Sequence, residues 1–456
     1  MAEAAVDLTR VASLKRDEDE RFAKAHPRSL ALRTRARQSM PLGVPMSWMA
    51  FLYDHPPIYV DSGEGTYFTD IDGHRYLDMF HGITVAAAGH TPQPVIRATA
   101  ERVAKGTQFQ LPTEDAVVVA EELARRWSLP KWQFQLSSTQ AITDAIHLAR
   151  AVTGRDKVLV FEGKYHGHLG EMLAMEGAAG ATEPEYLGIT TEDVARTVIV
   201  PWNDTSRVEA ALAGGDVALA IAEPVLSNSG LVFPSTGFHS ALRSLTSKAG
   251  TLLAIDETQT LPMAFGGLYR EWGLDADLLV IGKSLGAGIP IAALGMSDEI
   301  SAAIDRPFEP YEVSGGAVDE PAIGGTLFGN ALSMAATRAA LAEVWTPEAY
   351  TRMQANAQRL ASGIELSIRS RGRDWDVYQL GNRAGYRLNA RRPVNNEEAA
   401  EYDLPAVRHL QRIFMLNRGI WDFGWWGGPA ISAQTEASDV DIYLGVFDDF
   451  MAAVLD

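Results

Sequence analysis

Residues 279–290, Leu-Val-Ile-Gly-Lys-Ser-Leu-Gly-Ala-Gly-Ile-Pro, place one lysine, Lys283, among glycines at the end of an apolar run. Burying an ammonium group is costly, so a lysine delivered there either has a use or emerges at the surface. Two uses come into question: a phosphate-loop lysine, or an amine that forms a Schiff base with a carbonyl. The phosphate-loop pattern Gly-x-x-x-x-Gly-Lys fails, because its first glycine would fall on Asp277.

Other apolar runs end in the same way. Residues 157–161 are followed by Glu162-Gly163-Lys164-Tyr165-His166-Gly167-His168, residues 217–221 by Ala222-Glu223-Pro224, and residues 251–255 by Asp256-Glu257-Thr258-Gln259-Thr260. Taken singly, Asp256 and Glu223 suit helix caps or solvated loop carboxylates as well as a site. His166 and His168 have no cysteine and no nearby third ligand, so no metal is expected. Ser137-Ser138-Thr139-Gln140-Ala141 opens a helix with apolar face Ile142, Ala145, Ile146 and Ala149, closed by Gly154. Hydroxyls and free N–H groups at a helix start suit a phosphate, as they suit an ordinary N-cap.

Together these residues ask for one cofactor. Pyridoxal 5'-phosphate needs an anion cradle (Ser137, Ser138, Thr139), an aromatic surface for its ring (Tyr165), a carboxylate that keeps the pyridine nitrogen protonated (Asp256) and an amine for its aldehyde (Lys283).

Delivering these groups to one place requires a mostly parallel α/β sheet. The runs at 157–161, 197–200, 217–221, 251–255 and 278–281 are short and apolar on both faces, which fits strands covered by helices on each side. Their C-terminal ends then form the site. Before them, residues 1 to about 40 read as a charged helix and a loop, and short strands near 58–61, 66–68 and 76–80 read as an antiparallel entry unit. The expected organisation is an N-terminal segment 1–85, a large cofactor-binding domain 86–335 and a smaller C-terminal α+β domain 336–456. In the last, helices are expected over 331–344 and 347–368, with strands near Val377, Tyr386 and Ile431.

Composition removes other classes. The 456 residues are 46% apolar and 21% charged, enough for a large core. A formal charge of −18 argues against nucleic acid as a partner. The absence of cysteine excludes disulfides and thiolate chemistry. No run approaches the ~20 apolar residues of a membrane span. The acidic stretch Asp17 to Glu20 is unlike a signal peptide, so a cytoplasmic location is expected.

Four stretches carry a resemblance: Asp256-Glu257-Thr258-Gln259-Thr260, Gly282-Lys283, Tyr165-His166-Gly167 and Gly325-Thr326-Leu327-Phe328-Gly329-Asn330. On these the chain resembles the class III aminotransferases of the fold-type I pyridoxal phosphate enzymes, from about Gly63 to the C-terminus. Within them it is most similar to the branch of glutamate-1-semialdehyde aminomutase, β-phenylalanine aminotransferase and D-phenylglycine aminotransferase. The resemblance implies that Lys283 holds the cofactor as a Schiff base and then shuttles protons, with Asp256 on the pyridinium nitrogen and Tyr165 stacked on the ring. Gln259 would lie near the phenolic oxygen, Glu223 would also belong to the cofactor site, and Ser137, Ser138 and Thr139 would hold the phosphate. Thr326 would reach the phosphate of a second subunit, implying a homodimer with shared active sites.

Two departures from the family pattern bear on chemistry. The family's Ser-Gly-Thr-Glu-Ala cradle reads Ser137-Ser138-Thr139-Gln140-Ala141. The arginines that clamp a substrate carboxylate in β-phenylalanine-type relatives are missing from Pro45-Met46-Ser47-Trp48-Met49 and from residues 421–428. Trp48, Trp425 and Trp426 are candidates for an apolar pocket in their place, or for simple packing, and Arg383, Arg387 and Arg391 for substitute clamps. The resemblance thus implies an aminotransferase acting between an amine or hydrophobic amino acid and a keto acid or ketone. An aminomutase or racemase on the same scaffold is the alternative, and a non-catalytic binding protein a more distant one.

Overall fold

The computed structural model describes residues 6–305, 321–424 and 427–456. The chain forms two compact units: a central one, Gln93–Pro347 with Pro393–Ala399, and a terminal one, Met1–Pro92 with Glu348–Arg392 and Ala400–Asp456.

The apolar runs build the central unit. Its sheet contains β1 (Lys131–Gln135), β2 (Lys157–Phe161), β3 (Thr197–Val200), β4 (Val217–Ala222), β5 (Leu252–Asp256), β6 (Leu278–Ile281) and β7 (Ala292–Met296). The spatial order is β1-β7-β6-β5-β4-β2-β3. β7 runs antiparallel to both neighbours, and every other pairing is parallel. All residues of β4 and β6 are buried, which is why their sequences are continuously apolar rather than alternating. The parallel strands all point their C-terminal ends to one edge, where β1, β2, β4, β5 and β6 release the chain into the predicted site loops.

Helix α1 (Ser138–Thr153) follows β1. Its face Ala141, Ile142, Ala145, Ile146 and Ala149 belongs to the same buried cluster as Val160, Ile221, Ala254 and Val280. Ser137 caps it with extended backbone, and Gly154 ends it at φ +67, a left-handed conformation that glycine adopts without strain.

The terminal unit joins N- and C-terminal segments. Val60–Glu64, Tyr67–Asp70 and Arg75–Asp78 form an antiparallel sheet, and Ile420–Trp421 adds to it in parallel. Val377–Leu380 pairs with Arg383–Tyr386 in a separate hairpin. Two expectations are corrected here. The N-terminal segment is not one helix and a loop but two helices, Leu8–Ala25 and Pro27–Ala36, broken at His26 because Pro27 starts the second. Ile431 is not in a strand: its N–H bonds the Asn382 carbonyl, beside a single bridge between Ala430 and Arg383. No helix among the described residues is long and apolar enough to cross a membrane.

Ile221 is fully buried in the sheet core. Ile221→Ala is expected to cost about 2–5 kcal/mol, read as a lower urea midpoint for unfolding.

Candidate active site

At the C-terminal edge of the sheet a hydrogen-bonded network joins two strand ends to the start of α1. Asp256, the last residue of β5, accepts from the Thr258 N–H at 3.0 Å and from His166 Nδ1 at 2.8 Å. The Thr258 hydroxyl donates to Ser138 Oγ at 2.8 Å, and the His168 N–H donates to Thr139 Oγ1 at 3.0 Å. The loop after β2, the end of β5 and the α1 N-terminus are therefore one structure.

Close approach is what permits it. A Cβ on Gly282 would collide with Ser138 Oγ, and one on Gly167, at φ +106, would meet Thr139 at 2.7 Å. The serine that replaces the family's glycine at 138 therefore lies over a residue with no side chain. Gln140 explains the second change in the cradle. Its Oε1 accepts from the Leu136 N–H at 3.2 Å and the Ser137 hydroxyl at 3.3 Å, closing the helix start from within, for which an amide carbonyl suffices.

Lys283 follows β6 and Gly282. It is half-buried rather than buried, because it opens a 3-10 turn, Lys283–Gly286, that carries it out of the sheet. Its backbone φ is +47, an uncommon conformation for a side-chain-bearing residue and one that clusters at functional positions.

The two buried carboxylates are tuned in opposite directions. Burial pushes Asp256 upward, but the bond and charge of His166 and the bonds from Thr258 outweigh it and hold Asp256 below its ordinary value. In Glu223 burial wins and pushes the carboxyl up to about 8, with repulsion from Asp256 adding to the rise while Ser227 and Lys283 oppose it. Glu223 Oε2 accepts from the Ser227 hydroxyl, while Oε1 and His166 Nε2 are buried without a hydrogen-bond partner. Tyr165 is half-buried, and burial pushes its phenol up to about 12. Gln259 is buried, with its amide 3.4 Å from Asn228 Oδ1.

These residues fit pyridoxal 5'-phosphate. The helix start offers hydroxyls and N–H groups to a phosphate. Asp256 is a buried anion for which a protonated ring nitrogen is the charge-matched partner, and the orphaned Glu223 and His166 atoms border the same edge.

The remaining predicted residues are placed elsewhere or lie outside the described residues. Thr326 is exposed, and its carbonyl accepts from Gln108 at 2.7 Å. Trp425 and Trp426 lie outside the described residues. Trp48 starts a short helix, Trp48–Phe51, in the terminal unit. That unit holds a cavity of about 410 Å³ bounded by Pro45, Met49, Tyr53, Phe68 and Trp421 but not by Trp48. Arg387 is committed to Asp376 at 2.5 Å and to the Tyr378 ring, Arg383 is buried, and Arg391 is exposed.

Sequence reasoning missed the part played by His166. Weighed only as a metal ligand beside His168, it turns instead to Asp256, 90 positions away, while His168 is exposed. The adjacent Tyr165 and the strand-end position were the available signals.

The family model described as "Aminotransferase class-III" matches residues 49–396. A glutamate-1-semialdehyde 2,1-aminomutase of Akkermansia muciniphila is 35% identical over 403 residues, covering 86% of this chain and 91% of that protein. A lysine-to-alanine variant of a glutamate-1-semialdehyde-aminomutase from Pseudomonas aeruginosa PAO1, solved in complex with PMP, superposes with a TM-score of 0.93 at 36% identity, covering 99% of this chain and 100% of that one. A β-phenylalanine aminotransferase from Variovorax paradoxus gives 0.84 at 25% identity, covering 97% of each chain.

The shift at Glu223 predicts a pH dependence. The unfolded carboxyl loses its proton near 4.5 and the native one near 8, so the native state binds more protons between those values and stability falls as pH rises through that window. Glu223→Gln mimics the neutral acid. Its melting temperature relative to the unsubstituted protein is expected to rise from about pH 4.5 to about pH 8 and to level off above, in thermal scans across that range.

Proposed function

Because the chain belongs to the class III aminotransferases, pyridoxal 5'-phosphate enzymes, we propose that it moves an amino group between an apolar amine or hydrophobic amino acid and a keto acid or ketone. The observation that carries this reading is the shared edge where Lys283 follows β6 beside an Asp256 carboxylate held by His166.

When bound, pyridoxal phosphate supplies an electron sink for the charge left at the substrate carbon that loses a proton. In this reading Lys283 Nζ anchors the cofactor, then takes that proton and returns it one atom further on. The Asp256 carboxylate keeps a proton on the ring nitrogen, and His166 Nδ1–H fixes the carboxylate's orientation. Ser137, Ser138 and Thr139, with the N–H groups of the α1 start, hold the phosphate. Tyr165 covers the ring, Gln259 serves its phenolic oxygen, and Glu223, protonated at neutral pH, offers an O–H donor at the same edge. Thr326 completes the phosphate site of a second subunit in a homodimer, in the cytoplasm.

Two features support an apolar substrate. The stretch that carries a clamping arginine in β-phenylalanine-type relatives lines a mostly apolar cavity here through Pro45 and Met49, and Arg387 is already paired. A second reading, intramolecular transfer by an aminomutase, is supported by the names of the relatives at 35% and 36% identity.

One experiment separates the two. The visible band of the cofactor-loaded protein is followed as amines and amino acids are added singly, without a keto acid. Apolar amines are expected to convert the band faster than carboxylated ones, and Lys283→Ala to slow conversion by at least about 10²-fold. Conversion by carboxylated compounds alone would sink the apolar reading. Accumulation of a positional isomer of the added compound, with no acceptor present, would establish the second reading.

A further inference from the structure

Among the described residues, two groups of histidine and carboxylate side chains stand outside the cofactor site, both in the terminal unit: His26, Asp70 and His74, and Asp78, His81 and His90. The first is closed on itself. His26 Nδ1 bonds the Phe22 carbonyl, His26 Nε2 the Tyr76 hydroxyl, and Asp70 takes Tyr76 and His74. Both His26 nitrogens and both Asp70 oxygens are thus spent within the chain.

The second group is open. His81 is fully buried, and neither of its ring nitrogens has a hydrogen-bond partner. The Ala430 carbonyl lies beside the ring without reaching hydrogen-bond geometry. A buried imidazole left with both nitrogens unmet is rare and calls for a partner the chain itself does not supply. Its Nδ1 faces Asp78 Oδ2 at 3.7 Å, and His90 Nε2 reaches the same oxygen at 3.0 Å. The other Asp78 oxygen is spent on the Phe80 and His81 N–H groups at 2.9 and 2.7 Å, which fixes the carboxylate and leaves Oδ2 toward the two rings.

We infer that Asp78, His81 and His90 form a site for one divalent cation of the zinc class. The three donor atoms lie within 4.8 Å of one another. Zinc bonds of 2.0–2.2 Å in a tetrahedron set ligand atoms about 3.3 Å apart, and the separations of 3.0 and 3.7 Å bracket that value. Two imidazoles with one carboxylate favour zinc, cobalt or nickel over magnesium and calcium, which take oxygen ligands. Three protein ligands leave a fourth position for water or a small ligand, and Asp78 and His90 also border the 410 Å³ cavity, through which either could arrive. His81 begins four successive left-handed residues, His81 to Thr84, a run that a bound cation would pin to the sheet.

The test uses untagged, cofactor-loaded protein stripped with dipicolinate and then titrated with Co²⁺. One equivalent per chain is expected to bind with the visible d–d absorption of four-coordinate cobalt, and Zn²⁺ to displace it. His81→Gln and His90→Gln are expected to lose that absorption while keeping the cofactor's own band. Should His81→Gln fail to fold, the partly exposed His90→Gln decides alone. Absence of the cobalt band in the unsubstituted protein, or its persistence in folded His90→Gln, overturns the site.

Discussion

A carboxylate buried where water cannot reach it must be surrounded by donors, and Asp256 sets this requirement for the whole central unit. It is 4% exposed at the end of a strand buried on both faces. Left alone it would take up a proton. His166 and the Thr258 N–H keep it charged, and each draws in more structure. His166 fixes the loop after β2, and Thr258 fixes Ser138 and with it the start of α1. An anion in the core thereby aligns a helix N-terminus, where an anion is welcome, with a strand end that wants a cation. A ligand with a phosphate at one end and a protonated ring nitrogen at the other answers both demands.

The same crowding assigns roles to small residues. Gly282 and Gly167 matter for the neighbours they admit, Ser138 and Thr139, whose hydroxyls would otherwise be pushed out of the network. Lys283 itself sits at φ +47, in a region where side-chain-bearing residues cost of order 1–3 kcal/mol. The sheet and the Gly282 approach over-determine that geometry, so the fold stores strain at the residue that must project from its edge.

Much of this was legible before any coordinates. Continuous apolar runs marked the strands, and reading the residue after each run found Glu223, Asp256 and Lys283, because a parallel sheet sends its polar chemistry to one edge. Legibility ended where a partner or a turn leaves no mark in the pattern. His166 was weighed only as a metal ligand and set aside, since its partner Asp256 lies 90 positions away. Gln140 looked like a lost charge, since the Leu136 N–H and Ser137 hydroxyl on which it closes do not show in a pattern. How far Lys283 stands out of the core was not legible either, since periodicity sees the strand and not the turn that lifts the chain away. The helix break at His26 was signalled by Pro27, but the charge pattern ran unbroken across it. Asp78, His81 and His90 carry no spacing motif at all; the left-handed turn after Asp78 and the bridge between Gly65 and His90 bring them together.

The reversed strand β7 has a consequence for how such a site can vary. Most site residues sit on connections that leave the sheet for a helix or a loop, where an inserted residue can be absorbed. Lys283 sits between two hydrogen-bonded neighbours, with Ile281 opposite Ala293. Its connection is anchored at both ends on the same edge, so a length change there would displace the amine itself or shift the register of the pair. Divergence in this protein therefore has loops free to lengthen around the lysine, but the segment that carries it is a fixed-length span.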